Sequence, residues 1–316
     1  MKILGINISH DFSVCVFENN KILDYFYESR FNLNKKFRPV DTDFFIFSIF
    51  KKINFKPDLV IYSSYGRKNN YSEINSKNYK ITDDDIIKQI QKQLDNPPHY
   101  FNKHNHHIYH TCSSFHFSNF DEAMSIVIDG GGAYTLPNNY REIQSIFYID
   151  KNKILKLFQH LSNIRDIFIP NIINTEYSNQ VFSTFLNGTE YVLSSLQLGG
   201  LDFLKACDKT GLKNEPGKLM GLSSYAYSNL KFDLNYDYVN IAKDVQEKSF
   251  KETCQLIEKA YEYKRIKNFI LSGGYFLNCS NNFKYVKKYP ELNFFVDPDP
   301  SDGGTALGAC VYNDYR

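Results

Sequence analysis

The densest chemistry in the sequence is the run 104-HNHHIYHTCSSFHF-117, where His104, His106, His107, His110 and His116 take five of the chain's eight histidines. Imidazole binds transition metals and exchanges protons near neutral pH, so such crowding points first to an ion or to acid–base work. On a helix, His106 and His110 are four residues apart and share one face, so they can grip one ion. His107 and His110, three apart, are nearly as well placed. A solvated polar face would show the same spacing, so the partners decide. Two carboxylates stand in glycine-rich turns: Asp129 precedes Gly130-Gly131-Gly132, and Asp302 precedes Gly303-Gly304. Two imidazoles and two carboxylates suit Fe(II) or Zn(II). The six cysteines are scattered without a C-x-x-C pair, which argues against a thiolate zinc site and against a disulfide framework.

Glycine turns let backbone approach a phosphate closely. Gly130 and Gly131, Gly273 and Gly274, and the segment 217-GKLMGLSSYA-226 with Lys218 in a glycine-bounded turn are candidates for that contact. Each could equally be an ordinary strand end, and Lys218 a surface lysine at a helix start. Ser9-His10-Asp11 forms a polar elbow between two short strands, a common way to present a catalytic or phosphate-binding turn.

The elements needed to position these residues are legible from periodicity. Residues 1–9, 13–19 and 21–29 alternate as strands, with an Asn19-Asn20 turn between the second and third. Helices are expected over 42–52 and 84–94, flanking a buried strand over 58–63. Residues 64–80 lack periodicity and read as an exposed loop. The histidine run reads as a helix from His106 to Phe117, followed by a strand over 122–129. A hairpin over 143–149 and 153–159 comes next, then a mainly helical stretch from about 165 to 215. A long amphipathic helix is expected over 245–263, a strand over 267–273, a helix around 276–288, a strand over 293–297 and a closing helix over 305–313. No internal repeat is visible. This order fits an α/β protein of two lobes around a cleft, with approximate lobes 1–140 and 141–316.

Composition narrows the class. A net charge of +2 and 42% apolar residues describe an ordinary globular chain and do not announce a nucleic-acid binder. The start is not that of a signal peptide and no apolar run reaches membrane length, so a soluble cytoplasmic protein is expected. The heavy use of Lys, Asn, Ile, Tyr and Phe, with no Trp, matches an AT-rich genome, such as that of a phage acting in its host's cytoplasm.

Taken together and in this order, the pieces carry a resemblance. The segments 3-ILGINISHDFSVCVFENNKI-22, 27-YESRF-31, 106-HHIYHTCSSFHFSNFDEA-123 running into 126-IVIDGGG-132, 217-GKLMGLSSYA-226, 271-LSGGYFLNCSNNFK-284 and 297-DPDPSDGGTALGA-309 resemble the O-carbamoyltransferase family over nearly the whole chain. Those enzymes carbamoylate hydroxyls of antibiotics and nodulation factors. The part matched is their first domain, which is similar to the threonylcarbamoyl-transferring proteins that modify tRNA. The resemblance implies an actin-like, sugar-kinase-like (ASKHA) fold with a nucleotide and metal cleft. It implies that His106, His110, Asp129 and Asp302 hold a metal, iron first with zinc or manganese as alternatives. It implies that Gly273, Gly274 and Asn278 bind the adenosine of a carbamoyl-adenylate, and that His10 and Asp11 stand where the carbamoyl group meets the acceptor hydroxyl.

The chemistry is coherent. Joining a carbamate to AMP gives it a leaving group, positive charge at the phosphate helps AMP depart, and a base such as His10 takes the hydroxyl proton. Family members carry a second domain that makes the carbamoyl-adenylate from carbamoyl phosphate and ATP. Here 310-CVYNDYR-316 follows the last first-domain motif, so that domain is expected to be absent. A separate protein would then supply the adenylate, or this chain would perform the whole reaction. Phe283 also departs from the family's usual glycine. For the acceptor, Tyr65, Tyr71 and Tyr79 interleave with Arg67, Lys68, Lys77 and Lys80, a pattern that can stack bases and track phosphates. An exposed loop in a Lys- and Tyr-rich chain would show the same pattern; a compact, phage-like carbamoyltransferase tips the expectation slightly to a hydroxymethylated pyrimidine in DNA or a nucleotide over a sugar hydroxyl of a secondary metabolite. Transfer to tRNA, or a kinase-like or non-enzymatic actin-fold role, are the competing classes.

Overall fold

The computed structural model describes residues 1–316 apart from 10, 29, 31–54, 66–69, 75–76, 136–139, 164–181, 187, 195–205, 213–214 and 229–234. In chain order the strands are β1 (Lys2–Asn7), β2 (Ser13–Glu18), β3 (Lys21–Tyr27), β4 (Leu59–Ser63), β5 (Asn70–Ile74), β6 (Lys77–Ile81) and β7 (His99–Phe101). They continue as β8 (Glu122–Ile128), β9 (Tyr134–Thr135), β10 (Tyr140–Asp150), β11 (Ile154–Asn163), β12 (Phe182–Leu186), β13 (Thr189–Ser194), β14 (Asn268–Ser272) and β15 (Asn293–Val296). The helices are α1 (Asp83–Gln93), α2 (His106–Ser118), α3 (Pro216–Ser224), α4 (Tyr236–Tyr263), α5 (Cys279–Lys288) and α6 (Thr305–Tyr312).

The chain divides into two compact units: Met1–Asn119 with Gly132–Thr135 and Asp297–Arg316, and Phe120–Gly131 with Leu136–Val296. The first is built on a sheet ordered β3-β2-β1-β4-β7. Its first three strands are antiparallel, while β1, β4 and β7 run parallel. The second unit's sheet runs β12-β13-β11-β10-β8-β14-β15. Here β11, β10 and β8 are antiparallel neighbours and β8, β14 and β15 are parallel. The segment β11-β10-β8-β14-β15 therefore repeats the order and directions of the first sheet. The repeat is one of topology and leaves no trace in the sequence.

Each unit buries its own core. Leu4, Ile6 and Val14 alternate on β1 and β2 and pack with Val60, Tyr62, Ile86 and Ile90. In the second unit Met124, Ile126 and Ile128 on β8 pack with Phe269, Leu271 and helix residues such as Ile257 and Tyr285. Burying each such side chain contributes roughly 1.5–3 kcal/mol.

Local signals explain several boundaries. Asn19 and Asn20 both take positive φ, 50° and 62°, closing the tight turn between β2 and β3. Thr82 and Asp85 cap α1 reciprocally, the Thr82 hydroxyl accepting from the Asp85 N–H at 3.2 Å while the Asp85 carboxylate accepts from the Thr82 N–H at 2.9 Å. Asn119 ends α2 in the left-handed region at φ 56°.

Two expectations are corrected. The segment 64–80 contains the antiparallel pair β5–β6, with Tyr71 opposite Lys80 and Ile74 opposite Lys77. A two-stranded ribbon is held by backbone bonds and needs no apolar alternation. The stretch 165–215 carries strands β12 and β13, paired from Phe182–Leu193 to Leu186–Thr189. Its Asn187-Gly188 dipeptide between β-branched and aromatic runs is the hairpin signal that announces them, and Gly188 takes φ 78°. In addition α4 starts at Tyr236, well before 245, because Asn235 caps it by accepting from the Asp237 N–H. The expected helix over 42–52 lies outside the described residues. Among the described residues no helix is long and apolar enough to cross a membrane.

Candidate metal centre

The first unit brings three of the singled-out side chains together. His106 and His110, one turn apart at the start of α2, direct their Nε2 atoms at Asp302 Oδ1, at 3.5 and 3.8 Å. All three side chains are buried. The i, i+4 pair is thus the one that meets the carboxylate; His107 is buried beside it, its ring 5.9 Å from that of His106 and 6.3 Å from that of His110. The spacing can be tested against coordination geometry. Two ligand atoms bound at about 2.1 Å to one tetrahedral ion stand about 3.4 Å apart. The His–Asp separations lie close to that, so this buried group has the donor types and the spacing to hold a metal ion.

The sequence builds this alignment through its glycines. A Cβ on Gly308 of α6 would fall 1.8 Å from the Tyr109 carbonyl oxygen on α2. On the other side, a Cβ on Gly5 of β1 would fall 2.0 Å from the Ala306 carbonyl oxygen. Helix α6 is therefore wedged between α2 and the sheet at two positions where no side chain fits, which sets Asp302, just before α6, opposite the histidines. Asp302 Oδ2 accepts from the Ser9 hydroxyl at 2.8 Å. The Asp302 carbonyl accepts from the Thr305 hydroxyl at 2.6 Å, and the Thr305 hydroxyl oxygen accepts in turn from the Ser63 hydroxyl on β4 at 2.8 Å. Gly303 is held by two hydroxyls, Ser13 at 2.7 Å and Tyr25 at 2.5 Å, both donating to its carbonyl.

The turn before Asp302 is unusually acidic. Asp297 accepts from the Ser114 hydroxyl on α2 at 2.8 Å and from the Asp299 N–H at 2.9 Å, tying the turn to the histidine helix. Burial pushes its carboxyl above the usual range. Asp299 is pushed up to about 7, by burial first and then by the Asp11 and Asp302 charges. Tyr65, read as part of an exposed loop, is instead 8% exposed and stands edge-on to the His106 ring at 6.3 Å. Neither Asp297 nor Asp299 was singled out from sequence. Their only signal is the density of acids in 297-DPDPSD-302.

Of the remaining candidates, His10 lies outside the described residues. Asp11 takes φ 60° in the elbow after β1, and its carbonyl accepts from the Asn7 amide at 3.0 Å. In the second unit, Asp129 is buried at the end of β8, its N–H donating to Ile143 and its Oδ1 accepting from Gly130 N–H at 2.7 Å. Gly130 has open space where a side chain would stand, while Gly131 lies against the Arg141 guanidinium. Gly273 takes φ 95°, and a Cβ there would lie 2.2 Å from the Ile128 carbonyl oxygen, so the turn at Gly273 presses on the last residue of β8, just before Asp129. Asn278 is buried and exchanges two hydrogen bonds with Gln246, both 3.0 Å, while capping α5 through Asn281 N–H. Its side chain anchors the turn.

The glycine-bounded turn expected around Lys218 is corrected. Pro216 starts α3, so Gly217 and Gly221 are helical, and Lys218 is a 67% exposed helix residue 3.8 Å from Glu215. Proline at the first helical position is preorganised for that role.

No family model matches the sequence. The chain is 27% identical to uncharacterized protein MJ1051 of Methanocaldococcus jannaschii over 98% of its own length and 56% of that protein's. It is 26% identical to uncharacterized protein sll1178 of Synechocystis over 70% of its length and 37% of that protein's. The chain thus spans about half or less of these relatives. Among solved structures it is similar to full-length HypF in its phosphate- and nucleotide-bound form, with a TM-score of 0.59 at 17% identity, covering 99% of this chain and 55% of that one. It is also similar to the ROK hexokinase of Thermus thermophilus, with a TM-score of 0.52 at 10% identity and 98% and 97% coverage. These likenesses establish the fold: an actin-like, sugar-kinase-like α/β architecture.

Proposed function

We propose that the chain is the transfer unit of an O-carbamoyltransferase, moving a carbamoyl group from carbamoyl-adenylate to an acceptor hydroxyl. The observation that carries this is the buried convergence of His106, His110 and Asp302, residues of the very motifs in which the resemblance lies. Asp129 is the proposed fourth ligand. A bound Fe(II), or Zn(II) or Mn(II), would supply positive charge beside the phosphate as AMP leaves.

The chain's own residues would do the rest. Ser9 and Thr305 fix the Asp302 carboxylate and backbone, so that one oxygen faces the imidazoles. The Gly273–Gly274 turn would take the adenosine, with Asn278 holding the turn's shape. Gly130 and Gly131 would let backbone N–H groups approach the phosphate. Lys218, exposed at the start of α3, would contribute at most a mobile charge. Asp11 and its neighbour His10 are proposed to face the carbamoyl carbon. The donor would be made from ATP and carbamoyl phosphate, either by this chain or by a separate protein. The proposed acceptor is a hydroxymethylated pyrimidine in DNA or a nucleotide.

Mass spectrometry tests this with purified protein, synthetic carbamoyl-adenylate and a panel of acceptors that includes DNA bearing 5-hydroxymethylcytosine and simple sugars. A carbamoyl gain on one acceptor with AMP release is expected. Phosphoryl transfer from ATP to a hydroxyl, with no carbamoyl product from the adenylate, would replace this function with a kinase activity.

A further inference from the structure

Lys218, the cation that the sequence offers for a phosphate, is helical and stands 3.8 Å from Glu215. The turn after β8 has a cation of its own. Strands β10 and β8 pair antiparallel with Gln144 opposite Ile128, and the Ile143 carbonyl accepts from the Asp129 N–H at 3.1 Å. Followed two residues further, that register brings Arg141 level with Gly131. There a Cβ on Gly131 would fall 2.7 Å from Arg141 Nη1, 2.9 Å from Cζ and 3.2 Å from Nε. Three guanidinium atoms thus occupy the place of a side chain, which only glycine leaves to them. One residue back, a Cβ on Gly130 would meet nothing within 4 Å among the described residues. Gly130, Gly131 and Arg141 are all partly exposed, so a ligand can reach them. The neighbouring acids have other donors: Glu142 accepts from Lys156 at 3.3 Å and from Gln159, and Asp129 from the Gly130 N–H at 2.7 Å.

We propose that Arg141 binds the phosphate of carbamoyl-adenylate at this turn and takes up the charge that grows on it as AMP leaves. The proposal rests on the carbamoyl-transfer function above. A guanidinium presents paired N–H donors that match two phosphate oxygens, and charge-assisted bonds of this kind are among the strong ones. As the acceptor oxygen bonds to the carbamoyl carbon, its proton passes to the proposed base, His10. The bond from that carbon to the phosphate oxygen breaks, and its electron pair stays on the oxygen. The phosphate therefore goes from one negative charge to two, a change that a cation already in place favours. The missing side chain of Gly131 seats the guanidinium, and that of Gly130 leaves room beside it.

The test compares the affinities of AMP and adenosine by calorimetric titration of wild type and variants, since the two ligands differ only in the phosphate. Wild type should prefer AMP. Arg141→Met should lose about 10- to 100-fold in AMP affinity with adenosine affinity and metal content unchanged, and Arg141→Lys should recover part of the loss. Gly131→Ala leaves the charge in the chain but pushes the flexible guanidinium off its seat. It should weaken AMP while Tm holds, and should add little in the Arg141→Met background. Intact AMP preference in Arg141→Met, equal losses of AMP and adenosine, or a wild type without the preference would overturn the assignment. Additive losses from Gly131→Ala and Arg141→Met would overturn the seating of the guanidinium on the glycine. Failure of the carbamoyl function is read separately: wild type would release no AMP from carbamoyl-adenylate to any alcohol, whatever its preference for AMP.

Discussion

Replacing Gly308 with Ala tests whether the packing of α6 on α2 sets the candidate ion site. The new methyl would sit 1.8 Å from the Tyr109 carbonyl oxygen, 2.5 Å from its carbon and 2.9 Å from its Cα. All three are backbone atoms within a buried helix and cannot rotate away. The helices must part by about 1.2 Å or more before the contact reaches even 3.0 Å, a distance below which real Cβ atoms are essentially never found. Fully transmitted, that shift would carry the 3.5 and 3.8 Å separations between Asp302 and the histidines to about 4.7–5.0 Å, beyond what two bonds of about 2.1 Å to one ion can span. Overpacking of this kind costs roughly 1–3 kcal/mol, a fall in Tm of roughly 2–10 °C. The assay is paired: metal content after dialysis, by mass spectrometry, and Tm by calorimetry. Gly217→Ala and Gly221→Ala, on α3 where a Cβ meets nothing within 4 Å, are the controls. Each should keep wild-type metal and gain up to about 1 kcal/mol. A Gly308→Ala protein with full metal and unchanged Tm would refute the idea that this close approach fixes the site.

Three further outcomes are expected. His110→Ala should bind less than a tenth of the wild-type metal while keeping its circular dichroism spectrum; a metal-replete variant would remove His110 from the ligand set. Gly273→Ala should destabilise the second unit, because φ 95° and an oxygen 2.2 Å away both exclude a side chain; denaturant melts that match wild type would show the turn to be adaptable. His160, buried on β11 with its Nδ1 3.2 Å from Gln144, is pushed down to about 4 by burial, so the unfolded chain binds its proton first as pH falls. Stability from this group is complete above about pH 6.5 and is lost as pH drops toward 4, a loss of a few kcal/mol at most. His160→Gln should flatten that part of the stability–pH curve, and an unchanged curve would show that His160 is not its source.

What was legible in the sequence follows from how local each signal is. The His106–His110 spacing and the Asn19-Asn20 turn act within a few residues, and the structure has each in place. The return of Asp297–Arg316 to the first unit is not local, and nothing in that segment's own composition announces it. The raised carboxyl of Asp299 is non-local in the same way: burial in the folded chain raises it first, and then the charge of Asp11, nearly the whole chain away in sequence. The glycines around Lys218 suggest a turn, whereas Pro216, two residues before it, starts a helix. The Asn187-Gly188 dipeptide is a local hairpin signal inside a stretch whose composition otherwise reads as mainly helical.

The fold alone cannot choose between the activities that such an architecture hosts, since a hexokinase and HypF align with this chain at TM-scores of 0.52 and 0.59. The choice falls to the donor set. Phosphoryl transfer assisted by Mg²⁺ asks for oxygen ligands and bound waters around a hard ion. Two buried imidazoles facing a carboxylate are a poor site for Mg²⁺ and a good one for iron or zinc. A chain that merely reused a kinase site would have no reason to put His106 and His110 at the buried start of α2, or to leave out two side chains, at Gly5 and Gly308, so that α6 can carry Asp302 up against them. The glycines that build the local packing thus serve the residues that distinguish the site, and a variant of either kind should be read out first in metal content.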